Sequence, residues 1–220
     1  MTRCIGLVVL LALTVTPVVA ICPYPAPKVC SAFFESDVVF VGKVLSKRST
    51  DNDDYIRFDV RVAKRLKGTV SDTAHVYTGN DSGRLSWDVG RDYVVFARRE
   101  HERLVSGNDC SALSDPAKVS ETVRQIDDLR RATTATIEGE VVSRQPDGPG
   151  VRGVFVRVRG ETQTYVGTSD SRGVFRIEVP AGRYQVLSDP NVKQSDYSGS
   201  KLADINLVTG QCAQVQFVTR

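Results

Sequence analysis

The sequence predicts an all-β chain: a five-stranded barrel, one helix, then a seven-stranded sandwich. Three observations predict it. Short apolar runs alternate with charged residues at period two through most of the chain, as in half-buried strands. Glycines such as Gly68, Gly79, Gly83 and Gly90 punctuate these runs at short intervals. A helical period occurs in one stretch, from Pro116 to Arg131.

Residues 1–20 read as a secretory leader. Arg3 supplies a positive start, and Ile5 to Val15 is an apolar core of about ten residues, where a spanning helix needs about twenty. Pro17 breaks the run, and Val18-Val19-Ala20 places small residues at the usual cleavage positions. The expectation is cleavage after Ala20, a secreted or periplasmic location, and no membrane span afterwards.

Of five cysteines, Cys4 falls in the leader, which leaves Cys22, Cys30, Cys110 and Cys212. An even count in an exported chain points to disulfides, with three possible connectivities. No CxxC pair suggests a zinc ribbon or a thioredoxin-like redox site. The chain has 29 basic and 26 acidic residues, and removal of Arg3 leaves 28 against 26, a net charge of +2. That balance argues against nucleic acid as a partner.

Residues 21–113 form the first unit. Asp37 to Lys47 is rich in valine, and in "DYIRFDVRVAKRLKG" Ile56, Phe58, Val60 and Val62 face one way while Arg57, Asp59 and Arg61 face the other. "TAHVYTG", "DYVVFARR" and "RLVSG" complete a five-stranded barrel. Residues 114–133 follow as a helix and linker. Asp115-Pro116 is a helix start, and Val119, Val123, Ile126 and Leu129 recur on one face, which packs against the barrel. Residues 134–220 return to strands, with Val154, Val156 and Val158 alternating with Arg157 and Arg159, and Phe175, Ile177 and Val179 alternating with Arg176 and Glu178. About seven strands with short turns fit a sandwich.

Little in the sequence argues for catalysis. The two histidines, His75 and His101, lie in a strand and a charged turn, and no HExxH, phosphate loop or nucleophile elbow occurs. Asp51, Asp53 and Asp54 lack the glycine of an EF-hand loop and read as a solvated turn. The expectation is a protein that is not an enzyme, with no cofactor and no metal.

"CPYPAPKVCSAFFESDVVFVGKVLS", "VRVAKRLKGTV", "WDVGRDYVVFA" and "RLVSGNDC" resemble the netrin-like or tissue-inhibitor-of-metalloproteinase-like fold in its bacterial form. The resemblance implies an oligomer-binding-type (OB) barrel with a cysteine-anchored N-terminal strap, held extended by its prolines. At least one bond is expected to tie Cys22 or Cys30 to Cys110, with Cys212 taking the remaining partner across the two units. A Cys22–Cys110 bond would contribute roughly 4–5 kcal/mol in the chain-entropy account, less any strain. The chain departs from the animal inhibitors: Tyr24 stands where they have the second cysteine of Cys-x-Cys, and Ser82 stands where they have a mid-barrel cysteine.

"IEGEVVSRQPDGPGVRGVFVRVRGETQTYVGTSDSRGVFRIEVPAGRYQVLS" resembles the carboxypeptidase regulatory-like domain, a prealbumin-like sandwich of the carbohydrate-binding-like superfamily. In "TSDSRGVF", Asp170 and Gly173 are expected to make a tight hairpin, and Tyr184 to lead a core strand. The resemblance implies a docking module without catalytic residues.

The function expected is therefore that of a secreted or periplasmic interaction protein with a protein or cell-envelope partner. One alternative is a metalloproteinase inhibitor acting through Ile21, Cys22, Pro23 and Tyr24, since in that family the terminal cysteine chelates the target's zinc. Cleavage after Ala20 would leave Ile21 in front of that cysteine. The other alternative is a carbohydrate or cell-envelope binding module.

Overall fold

The structure is a computed structural model, and it describes residues 26–50, 54–81, 84–107, 113, 115–145, 147–188, 190–195 and 204–219. Strands dominate it, with a short helix α1 (Val29–Glu35) and a longer helix α2 (Val119–Arg131), the latter preceded by a 3-10 turn at Pro116–Lys118.

Strands β1 (Val38–Ser49), β2 (Tyr55–Lys67), β3 (Thr73–Gly79), β4 (Asp92–Glu100) and β5 (Arg103–Ser106) close into a barrel in the order β1-β2-β3-β5-β4. Closure runs through a short parallel pairing of β3 with β5, Val76 opposite Leu104 and Tyr77 opposite Val105. The barrel interior holds Phe40, Phe58, Val60, Val76 and Val95, with Trp87 between Phe58 and Tyr93 at ring-centroid distances of 5.1 and 5.2 Å.

The run "VVFV" in β1 is apolar on both faces because both are covered. Val38 and Phe40 point into the barrel, while Val39 joins a second cluster outside it with Val29, Phe33, Leu66, Val94 and Ile126. That outer cluster seats α1 and α2. Ile126 is fully buried, and Val119, Val123 and Leu129 pack around it, as their spacing predicts. Asp115 caps the start of this segment by accepting from the Ala117 amide at 2.9 Å.

The remaining strands form two four-stranded sheets around one core. One sheet has the order β11 (Val192–Gln194), β13 (Cys212–Thr219), β6 (Ala135–Val142), β9 (Val174–Val179). The other has the order β12 (Ile205–Leu207), β10 (Gly182–Ser188), β7 (Phe155–Arg159), β8 (Thr164–Thr168). β13 runs parallel to β6, from Cys212 opposite Thr136 to Val218 opposite Val142.

Three expectations change. The sheets contain eight strands rather than seven, because β11 and β12 are three-residue strands with no readable period. The segment through Cys30 is not extended to its end, because Val29 and Phe33, four apart, bury one face of α1 in the outer cluster. The Asp170–Gly173 turn forms, with Asp170 Oδ1 accepting from the Arg172 and Val174 amides at 2.8 and 2.9 Å, yet it is not a hairpin. Its flanking strands lie in different sheets, β8 beside β7 and β9 beside β6.

Candidate functional site

Two regions gather polar groups that the barrel and sandwich cores do not require. The first is the junction between them. Cys30, in the first turn of α1, is bonded to Cys212 at the start of β13, with an S–S distance of 2.05 Å and 182 residues between them in sequence. Strand alternation puts Gln214 on the same face of β13, and its side chain engages the strap three times. Oε1 accepts from the Lys28 amide at 3.0 Å and the Ser31 hydroxyl at 2.9 Å, while Nε2 donates to the Ala26 carbonyl at 3.0 Å. Opposite Gln214 on β6 is Glu138, whose side chain is 7% exposed. It is neutralised by Lys28 Nζ at 2.7 Å and Arg176 Nη1 at 3.4 Å.

The sulfurs of Cys30 and Cys212 and a carboxylate oxygen of Glu138 lie within 4.8 Å of one another. Joined in a disulfide, the two sulfurs offer no thiolate, so this grouping does not make a metal-ligand set. Beside it, α1, α2 and the sandwich enclose a cleft of about 640 Å³, lined by Lys28, Lys118, Gln125, Asp128 and Arg176 among others. Its charges are of both signs.

Cys30 and Cys212 are thus the sequence-predicted residues that the structure brings together. Ile21, Cys22, Pro23, Tyr24 and Cys110 lie outside the described residues, as do the leader and Asp51 and Asp53.

The second region is the outer face of the barrel across β1, β2, β3 and β5. Asp59 is its hub. Oδ1 is bound by Arg57 Nε at 2.9 Å and His75 Nδ1 at 2.7 Å, and Oδ2 by Ser46 Oγ at 2.7 Å and Arg48 Nη2 at 3.0 Å. Partial burial alone would raise the Asp59 pKa, but the hydrogen bonds from Ser46, Arg57 and His75 hold it well below the usual carboxylate range. Serine, histidine and aspartate meet here in the wrong order for nucleophilic catalysis. Ser46 donates to the carboxylate, and no hydrogen bond joins it to His75, so the imidazole is not placed to take its proton.

One step along the same face, the Arg103 guanidinium lies between two tyrosine rings, 5.5 Å from the centroid of Tyr55 and 5.2 Å from that of Tyr77. The arrangement is assembled by β-pairing across the barrel. Tyr55 opens β2, Tyr77 sits opposite Arg57 on β3, and Arg103 opens β5. Sequence reasoning missed it. The three residues are far apart in the chain, and the only signal was an outward position for each on its strand.

No protein-family model and no curated protein matches the sequence. Among solved structures, the chain is similar to the Bacillus anthracis TIE protein at 8% identity, over 84% of this chain and 35% of that one, with a TM-score of 0.32. A likeness at that score carries no argument about fold or function.

Proposed function

We propose that the protein is an exported, non-enzymatic interaction protein in which a netrin-like OB barrel and a carboxypeptidase regulatory-like sandwich are presented as one covalently joined unit to a protein or cell-envelope partner. The observation that carries this reading is the Cys30–Cys212 bond, which crosses from the strap of the barrel to the sandwich. A bond spanning 182 residues restricts the unfolded state strongly, by about 5 kcal/mol in the chain-entropy account. It also fits an oxidising compartment. Gln214 and Glu138 extend the bond into a polar seam, so the outer faces of both units are left available in a set relation.

The test is recovery of the native protein from its envelope and culture medium under non-reducing conditions. The expected result is a chain beginning at Ile21, with Cys30 and Cys212 bonded, in a stoichiometric complex with a distinct protein or envelope polymer. Recovery as a free monomer that turns over a small-molecule substrate would overturn the reading.

A further inference from the structure

Arg103 has an environment that its own structure does not consume. Two rings hold its guanidinium in place, yet it makes no hydrogen bond or ion pair with a described residue. Exposed carboxylates stand close in sequence, Glu100 opposite Arg103 on β4 and Glu102 beside it, and neither pairs with it. By contrast, neighbouring cations on the barrel are engaged: Arg57 and Arg48 on Asp59, and Arg99 on the Thr69 carbonyl.

Arg103 is also the shared wall of two cavities. One, of about 570 Å³, is lined by Thr73, Ala74, His75, Tyr77 and Leu104 among others. The other, of about 300 Å³, is lined by Tyr55, Glu100, His101 and Val105. The larger opens where the barrel is incompletely laced. β3 pairs with β5 only at Val76 and Tyr77, so Thr73, Ala74 and His75 have β2 on one side and the cavity on the other.

We propose that this place is a docking site for an extended acidic segment of a partner protein, with a carboxylate of the segment bound by Arg103. A planar guanidinium positioned by two tyrosine rings presents its N–H donors as a fork, the geometry that takes a carboxylate through two hydrogen bonds. Thr73 to His75 form a short strand edge with no partner residue on β5, which an extended chain can continue and a sugar cannot. The tyrosine rings receive the apolar stem of the glutamate. The proposal rests on the interaction-protein reading and adds its surface and the chemistry of its partner.

The test uses the full exported chain and a short fluorescein-labelled peptide of alternating threonine and glutamate, followed by anisotropy at low salt. The wild type is expected to bind it, and to bind the glutamine counterpart at least roughly tenfold more weakly. Arg103→Met should weaken binding by about tenfold or more. Arg103→Lys, which keeps the charge and loses the fork, should weaken it several-fold. Arg103 is exposed, so loss of its two ring contacts should lower the melt only slightly, and a cooperative melt close to that of the wild type with lost binding separates recognition from folding.

Equal binding by Arg103→Met, or equal binding of the glutamine peptide, would overturn the proposal. So would displacement of the peptide by tetragalacturonate at matching carboxylate concentration, which would assign the site to an acidic sugar. If the native complex forms unchanged with Arg103→Met, this site is wrong and the interaction reading stands. If the peptide binds through Arg103 but no native complex exists, the site stands and that reading falls.

Discussion

Gln214, on the first strand turn after Cys212, accepts a hydrogen bond from the Ser31 hydroxyl across the junction, 183 positions apart in sequence and 2.9 Å apart in space. Both residues are buried, and the Lys28 amide shares the same acceptor. Replacing Gln214 with leucine leaves the Lys28 amide and the Ala26 carbonyl without this partner. A cost of about 1–3 kcal/mol in urea unfolding is expected. A change below about 0.5 kcal/mol would mean that water takes over these bonds freely.

The sandwich should fold without the barrel. Its core, from Ala135 to Phe217, is drawn wholly from its own two sheets. The side chains that the strap engages on the sandwich are polar apart from Cys212, namely Glu138 and Gln214, so removing the barrel exposes groups that water accepts. Residues 134–220 carrying Cys212→Ser are expected to give dispersed amide resonances and a cooperative melt. A spectrum collapsed to random-coil shifts would show that the two units fold only together.

That same junction shows where the sequence was legible and where it was not. Strand positions were readable wherever one face is apolar and the other charged, as at Ile56, Phe58 and Val60 against Arg57 and Asp59. The helix was readable because Val119, Val123, Ile126 and Leu129 repeat at its period. Thr136, Glu138, Gln214 and Gln216 also alternate, but polar alternation reads as solvent exposure, and here all four are buried, with Glu138 and Gln214 engaged by the strap. The pairing of β8 with β7 and β9 with β6 was illegible for another reason. The Asp170–Gly173 turn has the same local chemistry whether it joins strands in one sheet or bridges two. The Tyr55–Arg103–Tyr77 clamp depends on β3 meeting β5, and the Asp59 hub on the register of β1, β2 and β3, neither of which a local pattern encodes.

Asp59 should set part of the acid sensitivity of the barrel. Its folded pKa is depressed, so in the folded state it binds a proton less readily than in the unfolded chain. The stability it contributes is fully present above its unfolded pKa of about 3.9 and is lost as pH falls below that value toward the folded pKa. Asp59→Asn should therefore destabilise at neutral pH and flatten the dependence below about pH 4. Urea midpoints of both proteins between about pH 2 and 7 check this, and parallel curves would refute it.

Gly173 should be among the least replaceable residues of the sandwich. Its φ is +80°, in the left-handed region, and a β-carbon there would stand 2.3 Å from the Val141 carbonyl oxygen. That oxygen and the Gly173 backbone belong to one close approach, since the Val141 amide donates to the Gly173 carbonyl at 2.8 Å. Alanine therefore meets both backbone strain and a collision with β6 that cannot be relieved by a side-chain rotation. Gly153 supplies the comparison, because its φ is +82° but nothing lies within 4 Å of an added β-carbon. Gly153→Ala should cost about 1 kcal/mol, the strain alone, and Gly173→Ala on the order of 2–4 kcal/mol. Thermal and urea unfolding of the two variants measure the difference. Equal costs would show that β6 and the turn separate easily, and that the Asp170–Gly173 turn does not hold the two sheets in register.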